Sequence, residues 1–163
     1  MKKKVLLAVL AVLALLIVPM SPAMAVTKVP MTFNITGLVQ LDPGKVWTEG
    51  NIIHTDGRQV RGVYSSPQLG TGTFEATMDR RYSLLTGEGT YLAKATITIT
   101  VGGSLGLGTG TISGTGEAKI TGLTQLTGKA VYTHGTGGLA GVKKMADFWT
   151  VPGGTAGAGT IAY

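Results

Sequence analysis

Apolar and polar residues alternate strictly along several segments of this chain. From Tyr91 the sequence reads YLAKATITITV, in which every second residue from Tyr91 to Val101 is apolar and three of the residues between them are threonine. The same period of two recurs elsewhere in the chain, at Phe74, Ala76 and Met78, at Phe33, Ile35 and Val39, and more weakly at Ala146 and Phe148. An apolar residue at every second position is typical of a β-strand with one buried face. The pattern therefore predicts an all-β domain whose core is formed by these residues.

Glycines separate the alternating segments. The motif G-x-G-T followed by a large apolar residue occurs four times: GTGTF from Gly70, GEGTY from Gly87, GTGTI from Gly108 and GAGTI from Gly157. Glycine permits positive φ in tight turns and bulges, and threonine favours the strand that follows. The motif predicts four places where one strand ends and the next begins. Helix signals are nearly absent after residue 25, and only Leu139 to Met145 could form a turn or two of helix.

The N-terminus has the three parts of a secretory signal peptide. Three lysines precede an apolar run of 14 residues from Val5 to Val18, and the A-x-A site Ala23 to Ala25 follows. This run is shorter than the roughly 20 residues that span a bilayer. We therefore predict that residues 1–25 are a signal peptide and that the protein is secreted, periplasmic or located at the cell surface. The alternative is an uncleaved N-terminal anchor, and membrane contact is expected only in that case.

The remaining residues, 26–163, have the size of one domain. About eight strands of near ten residues fit into them, and an antiparallel sheet of that size commonly closes on itself. Closure also removes the exposed edges along which sheets aggregate. The prediction is a single antiparallel, approximately eight-stranded closed barrel. The chain has no cysteine, so noncovalent packing must hold this barrel together.

Composition argues against a nucleic-acid partner. The chain has 14 basic side chains, and removing Lys2, Lys3 and Lys4 with the signal leaves 11 against 8 acidic ones. No basic run beyond a pair such as Lys143-Lys144 remains. A cofactor is not expected either. The stretch GTGGLA from Gly135 formally matches the dinucleotide fingerprint G-x-G-x-x-A, but too little chain follows for the helix and parallel strand that this fingerprint requires.

The two histidines and one pair of carboxylates are the candidates for catalytic or metal-binding groups. His54 has the same parity as Ile52 and could point into the barrel, whereas His134 is expected at its rim. No spacing concentrates metal ligands, so no metal site is predicted. Glu75 and Asp79 are expected on the outer face, because the apolar residues between and beside them take the inner face. No catalytic residue is assigned.

The sequence leaves open whether the barrel is filled or hollow, since a small barrel holds either its own side chains or one ligand. The candidates for a cavity or its rim are the two histidines and three of the tyrosines: His54, Tyr64, Tyr91, Tyr132 and His134.

The segment from Thr133 to Val142, THGTGGLAGV, resembles the G-T-G-x-φ-x-G turn of the allene oxide cyclase-like and dirigent-like barrel superfamily. The GTGTI strand from Gly108 resembles the strand that precedes this turn, and GAGTI from Gly157 fits the final barrel strand. The resemblance implies an eight-stranded antiparallel barrel with an apolar cavity, in a dimer or trimer. The catalytic positions of characterised members have no match here, so their activities are not implied.

These observations favour an exported barrel that binds a small, mainly apolar ligand without catalysis. Two alternatives stay open. One is a cofactor-free isomerase or cyclase that acts by confining its substrate, which would require His54 and the three tyrosines to meet in one pocket. The other is a structural component of the cell envelope. A homo-oligomer is compatible with each of these functions.

Overall fold

The structure, a computed structural model, describes residues 26–122 and 124–163. The predicted signal peptide lies outside the described residues. The described part contains nine strands, β1 (Lys28–Asp42), β2 (Lys45–Glu49), β3 (Ile52–Ser66), β4 (Gly70–Ser83), β5 (Glu88–Gly102), β6 (Gly110–Thr121), β7 (Gln125–Gly135), β8 (Lys143–Val151) and β9 (Gly154–Ala162). A single 3-10 turn, Gly137–Leu139, is its only helical element. None of the described residues forms a helix long and apolar enough to cross a membrane.

The sheet closes into a barrel because β1 pairs on both of its sides. From β3 to β9 each strand is antiparallel to the next, and β1 then pairs antiparallel with β9 along its first half and with β3 along its second half. The short strand β2 continues beyond β1 and pairs with the first residues of β3. The prediction of an eight-stranded closed antiparallel barrel is confirmed, with β2 as one additional strand.

The alternating pattern sets the inside and the outside of the barrel, as predicted. On β5, Ala95, Ile97 and Ile99 are buried, and the threonines between them lie on the other face. Val101 departs from the expectation and is 62% exposed, because the register between β4 and β5 shifts at Thr71 and Gly72. Glu75 and Asp79 are exposed, in agreement with the expected outer position.

One end of the barrel is closed by apolar side chains from its loops. Leu69 comes from the loop between β3 and β4, and Leu139 and Val142 come from the loop between β7 and β8; all three are fully buried. Leu105 and Leu107, between β5 and β6, pack against the same core. We call this end, where β1 begins, the closed end.

Three of the four G-x-G-T motifs begin a strand, as predicted, and the fourth does not. Gly157 lies inside β9, where the ring of Phe33 packs directly against it. A Cβ atom at this position would lie 2.3 Å from that ring, so close packing rather than a turn requires the glycine. The segment Leu139 to Met145, the one place where a turn or two of helix could form, is not helical beyond the 3-10 turn that ends at Leu139, since β8 already begins at Lys143.

Candidate functional site

The barrel contains a cavity of about 300 Å³ in the half away from the closed end. Its wall is mostly apolar and includes Phe33, Phe74, Ala93, Ala130 and Phe148. Two further lining residues near the end of β1, Leu38 and Val39, are 44% and 55% exposed, so the cavity reaches solvent there. We call this end the open end.

A bulge in β3 determines which side chains enter the cavity at the open end. The register between β3 and β4 shifts between Thr55 and Arg58, so these two residues, three apart in sequence, both line the cavity. Gly57 in the bulge has φ +70, which a residue with a side chain rarely adopts. Its N–H donates to Asp79 Oδ1 on the neighbouring strand at 2.9 Å, and this hydrogen bond lowers the pKa of Asp79.

The same bulge places His54 on the outer face of the barrel. The His54 ring stacks on Trp47 of β2, with 4.8 Å between ring centroids, and its Nε2 lies 3.6 Å from Glu49 Oε2. His54 and Ile52 do share a face of β3, but it is the outer one, since Ile52 is itself 38% exposed. The extra residue between Thr55 and Arg58 puts both out of phase with the inward residues Val60 and Tyr64. His54 therefore does not contribute to the cavity.

His134 is exposed near the end of β7, where its Nδ1 forms a 2.9 Å hydrogen bond with the Thr133 hydroxyl. The two histidines lie on different strands of the outer surface. Within residues 26–122 and 124–163, no group of three or more histidine, aspartate or glutamate side chains could hold a metal ion.

Tyr91 and Tyr132 line the cavity. Burial raises the pKa of Tyr91 to about 12 and also raises the pKa of Tyr132 well above its ordinary range, so both hydroxyls keep their protons at neutral pH. The Tyr91 hydroxyl donates to the sulfur of Met78. Tyr64 is fully buried next to the cavity wall, with its ring stacked on Phe33 at 5.8 Å between centroids.

Two arginines project into the cavity at the open end. Arg58 on β3 and Arg80 on β4 both line it, and the Nε of each is buried without a hydrogen-bond partner among the described residues. Arg80 also lies over the ring of Tyr82, at 4.7 Å from its centroid. These side chains carry the positive charge of the cavity.

A third cation, Lys144 of β8, lies beneath the cavity wall. It is 1% exposed, and its Nζ is 3.8 Å from the centroid of Phe33, 4.7 Å from that of Tyr132 and 4.8 Å from that of Tyr64. The Nζ donates a 3.3 Å hydrogen bond to the Tyr64 hydroxyl. Burial lowers the pKa of Lys144 to about 7, whereas three ring faces favour the ammonium form.

None of these three cations was predicted as a site residue from the sequence. The alternation itself indicated two of them, because Arg80 follows Ala76 and Met78 at the same parity, and Lys144 precedes Ala146 and Phe148 in the same way. Charged residues ordinarily lie on the outside of a protein, so the alternation alone did not predict an inward position for Arg80 and Lys144.

No protein-family model matches this chain, and a search of curated proteins finds no significant match either.

Proposed function

We propose that this protein binds a small, mainly apolar ligand inside the barrel. The observation that carries the proposal is the cavity of about 300 Å³, closed by leucine side chains at one end and reaching solvent at the other. This volume lies at the lower end of the range of small-molecule sites, which are mostly apolar and have few polar groups.

The space arises from small residues at inward positions of neighbouring strands. Ala93 and Ala95 of β5, Gly116 of β6 and Ala130 of β7 all line the cavity. Protein interiors are ordinarily filled to the density of organic crystals, and a void that large side chains could fill is unfavourable unless it holds a molecule. A run of small inward residues facing phenylalanines supports a binding role.

The isomerase or cyclase alternative receives less support. It requires His54, Tyr64, Tyr91 and Tyr132 to meet, whereas His54 stacks on Trp47 outside the barrel. Tyr91 and Tyr132 remain in the cavity as neutral hydroxyls that could orient a ligand.

We also propose membership of the allene oxide cyclase-like and dirigent-like superfamily. The support is the closed eight-stranded antiparallel barrel and the position of the THGTGGLAGV segment, which joins β7 to β8. Export of the protein is a separate proposal that rests on the N-terminal sequence.

The binding proposal is tested with an uncharged fluorescent probe, N-phenyl-1-naphthylamine, whose emission rises in an apolar site. We expect saturable binding to the wild-type barrel. The substitution Ala93→Phe places a ring in the cavity and should weaken probe binding about tenfold or more, since it occupies the space the probe needs.

Ala158→Phe is the matched control, because Ala158 lies on β9 between the inward positions Gly157 and Gly159 and faces outward. This variant should bind the probe as the wild type does. Absence of saturable binding to the wild type, or equal binding by the Ala93→Phe variant, would refute the proposal.

A further inference from the structure

The charged side chains that lie inside this barrel are all basic. All eight acidic side chains are exposed: Asp42, Glu49, Asp56, Glu75, Asp79, Glu88, Glu117 and Asp147. Arg58 and Arg80 instead line the cavity, and Lys144 is buried beneath its wall. In the described part of the chain the interior therefore contains cations and no carboxylate.

The two inward arginines, Arg58 and Arg80, differ from Arg61, an outward arginine of β3. Arg61 of β3 has its guanidinium 2.7 Å from Glu75 Oε1 on β4. Neither Arg58 nor Arg80 has a carboxylate within ion-pair distance among residues 26–122 and 124–163, and the buried Nε of each lacks an acceptor. This arrangement is unfavourable at the edge of an apolar cavity, because the Nε–H of each arginine has lost water and gained no acceptor.

The two guanidinium groups start from adjacent positions on paired strands. Arg58 is opposite Met78, and Arg80 is opposite Thr55, on the two sides of the β3 bulge. The bulge thus brings Arg58 to the cavity alongside Thr55 and its partner Arg80. Guanidinium groups bind carboxylates through parallel N–H···O bonds, and these are strongest where water is excluded.

We propose that the ligand of this cavity is a small amphiphilic acid, whose carboxylate is bound by Arg58 and Arg80 at the open end and whose apolar part lies among Phe33, Phe74 and Phe148. This inference rests on the proposed binding function and adds the chemical class of the ligand. An acid of this kind supplies the acceptors that the two arginines lack and the apolar surface that the cavity wall can cover.

The test compares phenylbutyrate with the corresponding uncharged alcohol, phenylbutanol, as competitors of N-phenyl-1-naphthylamine. Wild-type protein should bind the acid at least about tenfold more tightly than the alcohol, as expected for a charge-assisted hydrogen-bonded pair. Arg58→Met and Arg80→Met should each remove most of this preference, measured as the ratio of acid affinity to alcohol affinity within the same variant. Arg58→Lys and Arg80→Lys keep the positive charge but lose the paired N–H donors of the guanidinium group. They should retain part of the preference.

Arg61→Met is the matched control, because this arginine lies on the same strand with its side chain outside the cavity. It should leave the preference for the acid unchanged. If the neutral probe binds but the acid has no advantage, the inference is refuted and the binding function stands. If the advantage persists in the Arg58→Met/Arg80→Met double variant, the assignment of these arginines is refuted. If neither the probe nor either competitor binds, the binding function itself fails, and the inference fails with it.

Discussion

Lys144 lies fully buried among three aromatic rings, with a tyrosine hydroxyl as its hydrogen-bond partner. Transfer of an ammonium group from water to such a site is costly, and the faces of Phe33, Tyr64 and Tyr132 offset only part of that cost. Burial therefore holds the pKa of Lys144 at about 7, below the ordinary value of 10.5. The charge of this residue is linked to the stability of the barrel.

The stability of the wild-type protein should rise with pH between about 7 and 9. In this window the unfolded chain holds a proton on Lys144 that the folded barrel has released, which gives a slope of up to about 1.4 kcal/mol per pH unit. Below pH 7 both states are protonated and the full cost of burying the charge is present. Urea unfolding at pH 6.5 and pH 9 measures the change.

Lys144→Met should abolish this rise and should stabilise the barrel at pH 6.5. Lys143→Met is the control, because Lys143 is exposed on the same strand and its variant should keep the wild-type slope. An unchanged slope in the Lys144→Met protein would show that another group titrates.

Within β3, the bulge at Gly57 determines which side chains point into the cavity. Without the extra residue, the side chains on one side of it would exchange faces, and Thr55 and Arg58 could not both point inward. The conformation depends on φ +70 at Gly57 and on the hydrogen bond from its N–H to Asp79.

Gly57→Ala should destabilise the protein by about 1–2 kcal/mol, the cost of a left-handed backbone conformation for a residue with a Cβ atom. No atom lies within 4 Å of the position a Cβ would take, so the cost comes from the backbone and not from a clash. Gly57→Asn is the control and should cost less, because asparagine tolerates this conformation. Urea unfolding midpoints compare the two variants, and equal losses would contradict the backbone explanation.

Much of the strand pattern could be predicted from sequence, and the site could be predicted only in part. The alternation from Phe74 through Met78 and along β5 identified the buried faces, because one apolar residue in two leaves a single way to orient a half-buried strand. The bulge was not predicted, since one inserted residue moves His54 to the face opposite Val60 without changing the local composition. The cavity depends on which small residues lie side by side on neighbouring strands, such as Ala93, Gly116 and Ala130, and that arrangement exists only once the strands have paired in this register.

On the scale of the whole molecule, the barrel begins directly after the predicted cleavage site. Thr27 already exchanges two backbone hydrogen bonds with Tyr163, of 3.0 and 3.1 Å, and β1 starts at Lys28. A cut after Ala25 would therefore leave the pairing of β1 with β9 intact.

Native mass spectrometry of the protein expressed with its own N-terminus should give the mass of residues 26–163, in a monomer or a homo-oligomer, with any co-purified acid. Ala25→Arg should prevent cleavage, because the cleavage site requires a small residue. Recovery of the wild-type protein at full length in the membrane fraction would instead support the retained anchor.

The pairing of β1 with both β3 and β9 has a consequence for how the chain can acquire its structure. Sheet growth from β3 through β8 can proceed between strands that are neighbours in sequence. The pairing of β1 with β9, in contrast, joins segments more than a hundred residues apart and forms only when β9 is available. Until then the incomplete sheet has two edge strands with unpaired backbone groups and no enclosed interior. If the chain is exported, as we propose, translocation in an extended form with the barrel completed on the far side avoids exposing those edges to other chains in the cytosol.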